Sequence, residues 1–338
     1  MKKILTKILD CFFLLRIPLL APVWTIVILG WVAGSPKAHW GGCLIGGSAF
    51  CGVEVSLWIA LFGFSLVVAA IYVGNQIADI ESDRINHKLF LLPHGLVSVR
   101  TAWILAGVCS AGGLLTALFF DGTMLFLFVT SLALGFMYDL PPASLKNRPW
   151  GGTIACFLGH GVLTFLVGWY AARFTADPEF AWSLRDGVRL DVLAQGFLPS
   201  LSAGFANAAV FVTTTIADAE GDKAIGKRTF SVAYGEHASA IAGLVFCVGA
   251  LATVWFIQYN RVVMLIPTVL SLALFAWLVL STSRDAAFKA FKWPVFLLSA
   301  FVAVFVPVYG VLIVVTFFGS KMYYRHRFHI DYPTFKSR

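Results

Sequence analysis

Apolar residues run along this chain in blocks of roughly 20, each closed by a charge, a proline or a glycine. At 1.5 Å per residue, a helix of that length crosses roughly 30 Å, the thickness of a bilayer's hydrocarbon core. The pattern predicts nine spans, near residues 12–34, 56–78, 101–119, 122–138, 151–171, 196–216, 238–258, 263–281 and 294–318. The expected fold class is therefore all-α: a polytopic membrane protein whose helices form one bundle.

Composition excludes more than it adds. Of the 338 residues, 59% are hydrophobic and 12% charged, against roughly 45–50% and 25% in soluble domains, so no aqueous fold hides this much apolar surface. The N-terminus opens with lysines ahead of an apolar run, as a signal peptide does. No small-residue cleavage site follows and Arg16 interrupts the run, so this stretch is expected to remain as the first helix. The six cysteines (Cys11, Cys43, Cys51, Cys109, Cys156, Cys247) form no CxxC pair and no cluster with histidine. Cys43 and Cys51 share a glycine-rich loop and are placed to pair if that loop faces an oxidising compartment.

The formal charge of +8 comes without the basic, aromatic-interleaved patch of a nucleic-acid binder. It reads instead as topology. The polar loops near 79–100, 139–150, 217–235 and 282–293 fall on one side with the N-terminus, and that side as a whole holds about 15 of the 25 Lys and Arg, which makes it cytoplasmic. One feature disagrees: the tail from Lys321 to Arg338 holds five further basic residues, yet nine spans send it to the opposite side. Either the rule fails for this tail or a helix is missing from the count. The amphiphilic loop near 172–195 is expected at the outer surface. No linker or soluble second domain is visible, so the chain divides into a transmembrane domain over 1–320 and a basic tail over 321–338.

Chemistry concentrates at two helix ends. Where the second span reaches the cytoplasmic side stand Asn75, Asp79 and Asp83, at i, i+4 and i+8 on one helix face. Stacked like charges beside hydrocarbon make little sense unless a cation sits among them, and oxygen ligands suit magnesium. At the end of the sixth span, Asp218 and Asp222 repeat the i, i+4 spacing, 139 residues after the first motif. Arg84, Lys88, Lys223, Lys227 and Arg228 flank the acids, as a diphosphate whose charge exceeds that of the metals requires.

These motifs resemble those of UbiA-type intramembrane prenyltransferases. The stretch from Asn75 to Asn86 is similar to the family's NDxxDxxxD signature in its homogentisate prenyltransferase form, and Asp218 to Gly235 resembles the second motif of that subgroup. Tyr138-Asp139-Leu140-Pro141-Pro142, continuing to Lys146, resembles a third family segment, YSxPPxxLK. The resemblance implies a central cavity, an isoprenyl diphosphate donor, a lipophilic acceptor and membrane lipid as surroundings. It also implies Mg2+, two ions held with the diphosphate by Asn75, Asp79, Asp83, Asp218 and Asp222. Asp79, Asp83, Asp218 and Asp222 become the catalytic set, with Asn75, Arg84, Tyr138, Asp139, Lys146 and Lys223 binding substrate.

Three departures stand out. Gln76 replaces a second acid, Thr214-Thr215 replaces a Lys-Asp pair, and Asp139 replaces a serine. Asp139 is suited to orienting a hydroxyl, taking a proton, or capping a helix N-terminus. His160, an intramembrane polar residue, suits either acceptor contact or a helix-to-helix hydrogen bond. In the implied reaction the metals and bases stabilise departing diphosphate, and an acceptor attacks the allylic cation in a dry interior. Two rivals share part of this pattern. Capture of the cation by its own chain, or by a glycerol or sugar hydroxyl, keeps the fold. A transporter would instead place acids near mid-bilayer.

Overall fold

Two breaks between helices fall where the backbone turns left-handed, at Arg16, or meets a proline, at Pro307. The computed structural model describes residues 2–35, 54–85, 91–176 and 187–333, and Cys43, Cys51, Asn86, Lys88 and residues 177–186 of the expected loop at 172–195 lie outside them. The first expected span, 12–34, is two helices, α1 (Lys2–Leu14) and α2 (Ile17–Gly34). Arg16 between them has φ 55°, which ends the hydrogen-bond ladder, and Pro18 starts the next helix where its missing N–H costs nothing. Helix α1 exposes Ile4, Leu5, Ile8 and Phe12 while burying Asp10, Phe13 and Leu14, the two-faced pattern of a helix lying in a membrane interface.

Next come α3 (Val55–Ala78), a single turn α4 (Ile80–Ile85), α5 (Val99–Ala117) and α6 (Gly122–Asp139). Ser98 starts α5 by accepting the Thr101 N–H at 3.1 Å. Asp121 starts α6 by accepting from Thr123 and Met124, and the Tyr170 hydroxyl donates to its second oxygen. The fifth span combines α7 (Pro149–Cys156), a π-helical stretch (Phe157–Leu163) and α8 (Thr164–Ala176). Then follow α9 (Leu190–Ala224), α10 (Phe230–Tyr234), α11 (Glu236–Thr253), α12 (Val262–Ser281), α13 (Arg284–Phe305) and α14 (Pro307–Phe328).

Among the described residues, nine of these segments are long and apolar enough to cross a membrane. The protein is an integral, multi-pass membrane protein, and the described residues contain no strand. Helices α2, α3, the fifth span and α9 are the most buried, and the rest turn residues such as Phe62, Leu115, Val245 and Leu280 outward, as a lipid-facing layer must. Backbones touch where side chains vanish: a Cβ on Gly168 would strike the Val27 carbonyl, and one on Gly30 the Phe165 carbonyl, so α2 and α8 pack without intervening side chains.

The ninth expected span, 294–318, is also corrected. Helix α13 stops at Phe305, and Pro307, unable to donate an N–H, begins α14. Near its start, the Tyr309 hydroxyl donates to Ala21 O at 3.2 Å; near its end, Arg327 pairs with Asp10 at 3.1 Å and Tyr323 donates to the same carboxylate at 2.7 Å. Helix α14 therefore returns the chain to the end of the bundle that carries α1. Among the described residues the count of membrane-length apolar helices stays at nine, the ninth being Arg284–Phe305 rather than 294–318, and Arg327 lies at the α14 end that packs against α1. The 172–195 loop is shorter than expected, since α8 runs to Ala176 and α9 begins at Leu190.

Candidate active site

Helix α3 ends where Asp79 leaves helical geometry at φ −103°, ψ 10°, although its N–H still reaches Asn75 O at 3.0 Å. The single turn α4 starts at once, with the Asp83 N–H bonded to Asp79 O at 2.8 Å. Asn75 and Asp79 remain stacked, the Asn75 amide donating to Asp79 Oδ2 at 3.2 Å. Gln76, rotated about 100° from that face, is buried and donates to Leu14 O at 2.7 Å. The residue standing in place of a second acid thus ties α1 to α3.

Helix α6 delivers the third motif. Its last residue is Asp139, so the N-cap expectation for Asp139 is wrong: the side chain sits at a helix C-terminus. Leu140 is extended, as a residue preceding proline must be, which ends α6 and sends the chain through Pro141-Pro142. A 3-10 turn, Leu145–Asn147, then brings Lys146 back over the acids. Its Nζ lies 2.8 Å from Asp79 Oδ2 and 3.4 Å from Asp139 Oδ1.

Helix α9 delivers the second motif. Its 35 residues span about 52 Å, well beyond the hydrocarbon, so the final turns with Asp218 and Asp222 project past it. Gly226 follows with φ 73°, a left-handed turn that folds the chain back and lets the Lys227 N–H bond Asp222 O at 2.9 Å. From there Lys227 Nζ reaches Asp79 Oδ1 at 3.2 Å. Thr215, one of the two threonines in place of a Lys-Asp pair, fixes this return by bonding the Ser231 hydroxyl at 2.7 Å.

Three motifs thus meet on one carboxylate. Burial pushes the Asp79 carboxyl up, but Lys146 and Lys227 outweigh it and hold it below the usual carboxylate range. Asp139 is 2% exposed; its Oδ1 accepts from Asn75 at 2.5 Å and from Lys146, while its Oδ2 has no hydrogen-bond partner among the described residues. No three acids among the described residues already form a metal cage. The donor set nonetheless fits a magnesium-bound anion: carboxylates at three helix ends, an orphaned buried oxygen, and two ammonium groups free to turn from Asp79 to a phosphate.

The remaining expected residues spread around this point. Asp83 is buried, Asp222 half-buried, and Asp218 and Lys223 exposed. Arg84 turns away, donating to Glu81 at 2.9 Å and to Pro93 O. Tyr138 packs edge-on against Phe211 and lines a cavity of 230 Å³ beneath the carboxylates, together with Asn75 and Asp139. Arg16, Tyr72, Ser131 and His160 also face this cavity. Of these only His160 was expected at the site. A lone charge inside the first apolar run marked Arg16, and Tyr72 lies one turn before Asn75 on the same face.

Comparison with known proteins follows the same lines. Residues 22–303 match the UbiA prenyltransferase family. A chloroplastic 2-acylphloroglucinol 4-prenyltransferase of Humulus lupulus is 29% identical over 242 residues, which cover 67% of this chain and 53% of that protein. A probable homogentisate phytyltransferase 2 of Oryza sativa subsp. japonica is 28% identical over 196 residues, 56% of this chain and 49% of that one. The chain spans about half the length of the curated relatives it matches. A UbiA homolog from Archaeoglobus fulgidus, solved bound to GPP and Mg2+, shares the fold at TM-score 0.60 and 18% identity, over 88% of this chain and 99% of that one.

Proposed function

The chain belongs to the UbiA prenyltransferase family, and on that premise we propose that it transfers a prenyl group from an isoprenyl diphosphate to a lipophilic, aromatic acceptor. The observation that carries this reading is the contact between Lys227 and Asp79, which joins the second aspartate motif to the first directly above a cavity. A transporter would need acids near mid-bilayer, whereas these cluster at helix ends.

Asn75, Asp79, Asp83, Asp218 and Asp222 would hold magnesium, two ions by the count of motifs. When bound, the metal neutralises charge developing on the departing diphosphate. Lys146 and Lys227, with Arg84 and Lys223 nearer solvent, supply the hydrogen bonds that the same oxygens gain as the C–O bond breaks. Aromatic and aliphatic walls around Tyr138 exclude water from the allylic cation until the acceptor carbon or oxygen reaches C1. Asp79 and its two lysines hold this geometry in place before substrate arrives, so little reorganisation is left for the reaction itself. The motif-bearing end faces the cytoplasm, because the basic loops and the returning C-terminal helix share it.

The test is incubation of purified protein with a radiolabelled prenyl diphosphate, a panel of aromatic acceptors, and a magnesium-free control. Acceptor-dependent, magnesium-dependent product supports transfer to an aromatic acceptor. A cyclised product formed without acceptor, or product only with a glycerol or sugar alcohol, would replace that acceptor class.

A further inference from the structure

One seam of helix α14 is exposed along most of its length. Val311, Val315, Phe318 and Met322 are each more than 60% exposed, and Arg325 and His329, also exposed, continue the same line. Steps of four and three residues keep these positions on one face up to the left-handed cap at His329. The face is apolar as far as Met322 and cationic from Arg325, the order in which a phospholipid presents acyl chains and then phosphate. The family match ends at residue 303, so this seam lies beyond the shared region.

A groove of 700 Å³ opens beside the cationic end, lined by Phe318, Lys321, Met322, Arg325, His326 and His329. Lys321 pairs with Asp331 at 3.2 Å. The side chains of Arg325, His326 and His329 make no hydrogen bond or ion pair among the described residues. Arg327 is engaged elsewhere, because Asp10 accepts from its Nε at 3.1 Å and from the Tyr323 hydroxyl at 2.7 Å, and Phe13 stacks on Tyr323 at 3.8 Å. One face of α14 is thus pinned to α1, which holds the groove in place. Leu14, the last residue of α1, accepts from Gln76 at 2.7 Å beside the first aspartate motif, so the groove lies at the motif-bearing end of the bundle.

We propose that this groove binds the headgroup of an anionic phospholipid in the leaflet on the motif-bearing side: Arg325 takes the phosphate with its fork of donors, His326, His329 and Lys321 add further N–H groups, and Phe318 and Met322 meet the acyl chains. The site is independent of the prenyl-transfer reaction. Size agrees, since small-molecule sites run to roughly 300–1,000 Å³. Charge selects an anionic headgroup, because a zwitterionic one adds a cation to a groove that already holds several. A soluble phosphate would use the cations but leave the apolar seam beneath them uncovered. A second copy in the same membrane orientation would set Arg325 against Arg325, a repulsive contact.

Native mass spectrometry of the full-length, detergent-solubilised protein tests this, with equal amounts of dioleoylphosphatidylglycerol and dioleoylphosphatidylcholine as probes. Wild type should retain the phosphatidylglycerol at least about fivefold more, the factor expected for one cation at a membrane surface. Arg325→Gln should lose most of that preference, and Arg325→Lys, which keeps the charge without the fork, should keep part of it. His326→Ala replaces Arg325→Gln if the latter loses its folded elution profile. Lys289→Gln removes a cation of α13 that already pairs with Asp285 at 2.6 Å, and should leave the preference within about twofold. Equal retention of the two lipids by wild type overturns the proposal, as does an unchanged preference in Arg325→Gln. An equal loss in Lys289→Gln overturns it too, by making the selectivity a matter of net charge. Displacement of the lipid by inorganic phosphate, but not by chloride at the same ionic strength, would make the groove a soluble-anion site. Wild-type dimers that come apart in Phe318→Ser would make it an interface between copies, and either result overturns the lipid assignment.

Discussion

Lys227 Nζ stands 3.2 Å from Asp79 Oδ1, joining two motifs whose residues are 148 positions apart. With Lys146 on the other carboxylate oxygen, Asp79 becomes the point through which the three signature segments are coupled.

Replacing Asp79 with alanine is expected to abolish prenyl transfer, a loss of at least about 10²–10³-fold. The protein should still insert and elute as wild type, because the helices are held by apolar packing far from this residue. Full activity in Asp79→Ala or in Asp218→Ala would sink the two-motif site.

Lys146→Met removes a cation whose side chain is 10% exposed and leaves Asp79 and Asp139 facing each other. Breaking such a buried pair costs about 3 kcal/mol, so the melting temperature of the metal-free protein should fall by several degrees. Magnesium should restore part of it, and a differential scan with and without the metal reads both effects.

Acid stability of the metal-free protein follows from the sign of the Asp79 shift. Its folded carboxyl lies below the usual range, so the stabilisation it contributes is complete above about pH 4, its unfolded value, and is lost as pH falls through the lower folded value. Melting temperature in EDTA should therefore stay flat through the region around pH 5 as far as this group decides it. Lys146→Met with Lys227→Met leaves burial, which pushes the folded carboxyl above its unfolded value, so in that variant melting temperature in EDTA should rise rather than fall as pH drops toward the carboxylate range.

Gly226→Ala places a side chain at φ 73°, at a cost of roughly 1 kcal/mol. The larger effect should be on activity, because the turn aims Lys227. KM for the diphosphate is expected to rise more than the melting temperature falls, and equal, small effects would detach Lys227 from substrate binding.

Asp10 is 2% exposed and carries Tyr323 and Arg327. Asp10→Ala should free helix α14, seen as faster protease cleavage between Lys321 and Arg327. Cysteine labels placed near both termini should react with an impermeant reagent from the same side of sealed vesicles; labelling from opposite sides would overturn the returning helix.

Much was legible along the chain itself. Span length and apolar content are local properties, so all-α membrane architecture and most helix positions follow from hydrophobic runs alone, and i, i+4 acids at helix ends declare a cation-binding face wherever the helix goes. Proline 307 and the left-handed Arg16 were harder to see: the apolar pattern continues across both, and only the backbone shows that each starts a new helix. Tertiary structure alone decided which charges meet. Lys227 reaches Asp79 because Gly226 folds a loop back over another helix's end, Asp139 joins Asn75 because α6 packs on α3, and Arg16 faces a cavity formed by helices remote in sequence. Residue type fixes what each group offers, but long-range packing fixes distance, and ionic and hydrogen-bond chemistry at a site depends on distances of a few ångströms.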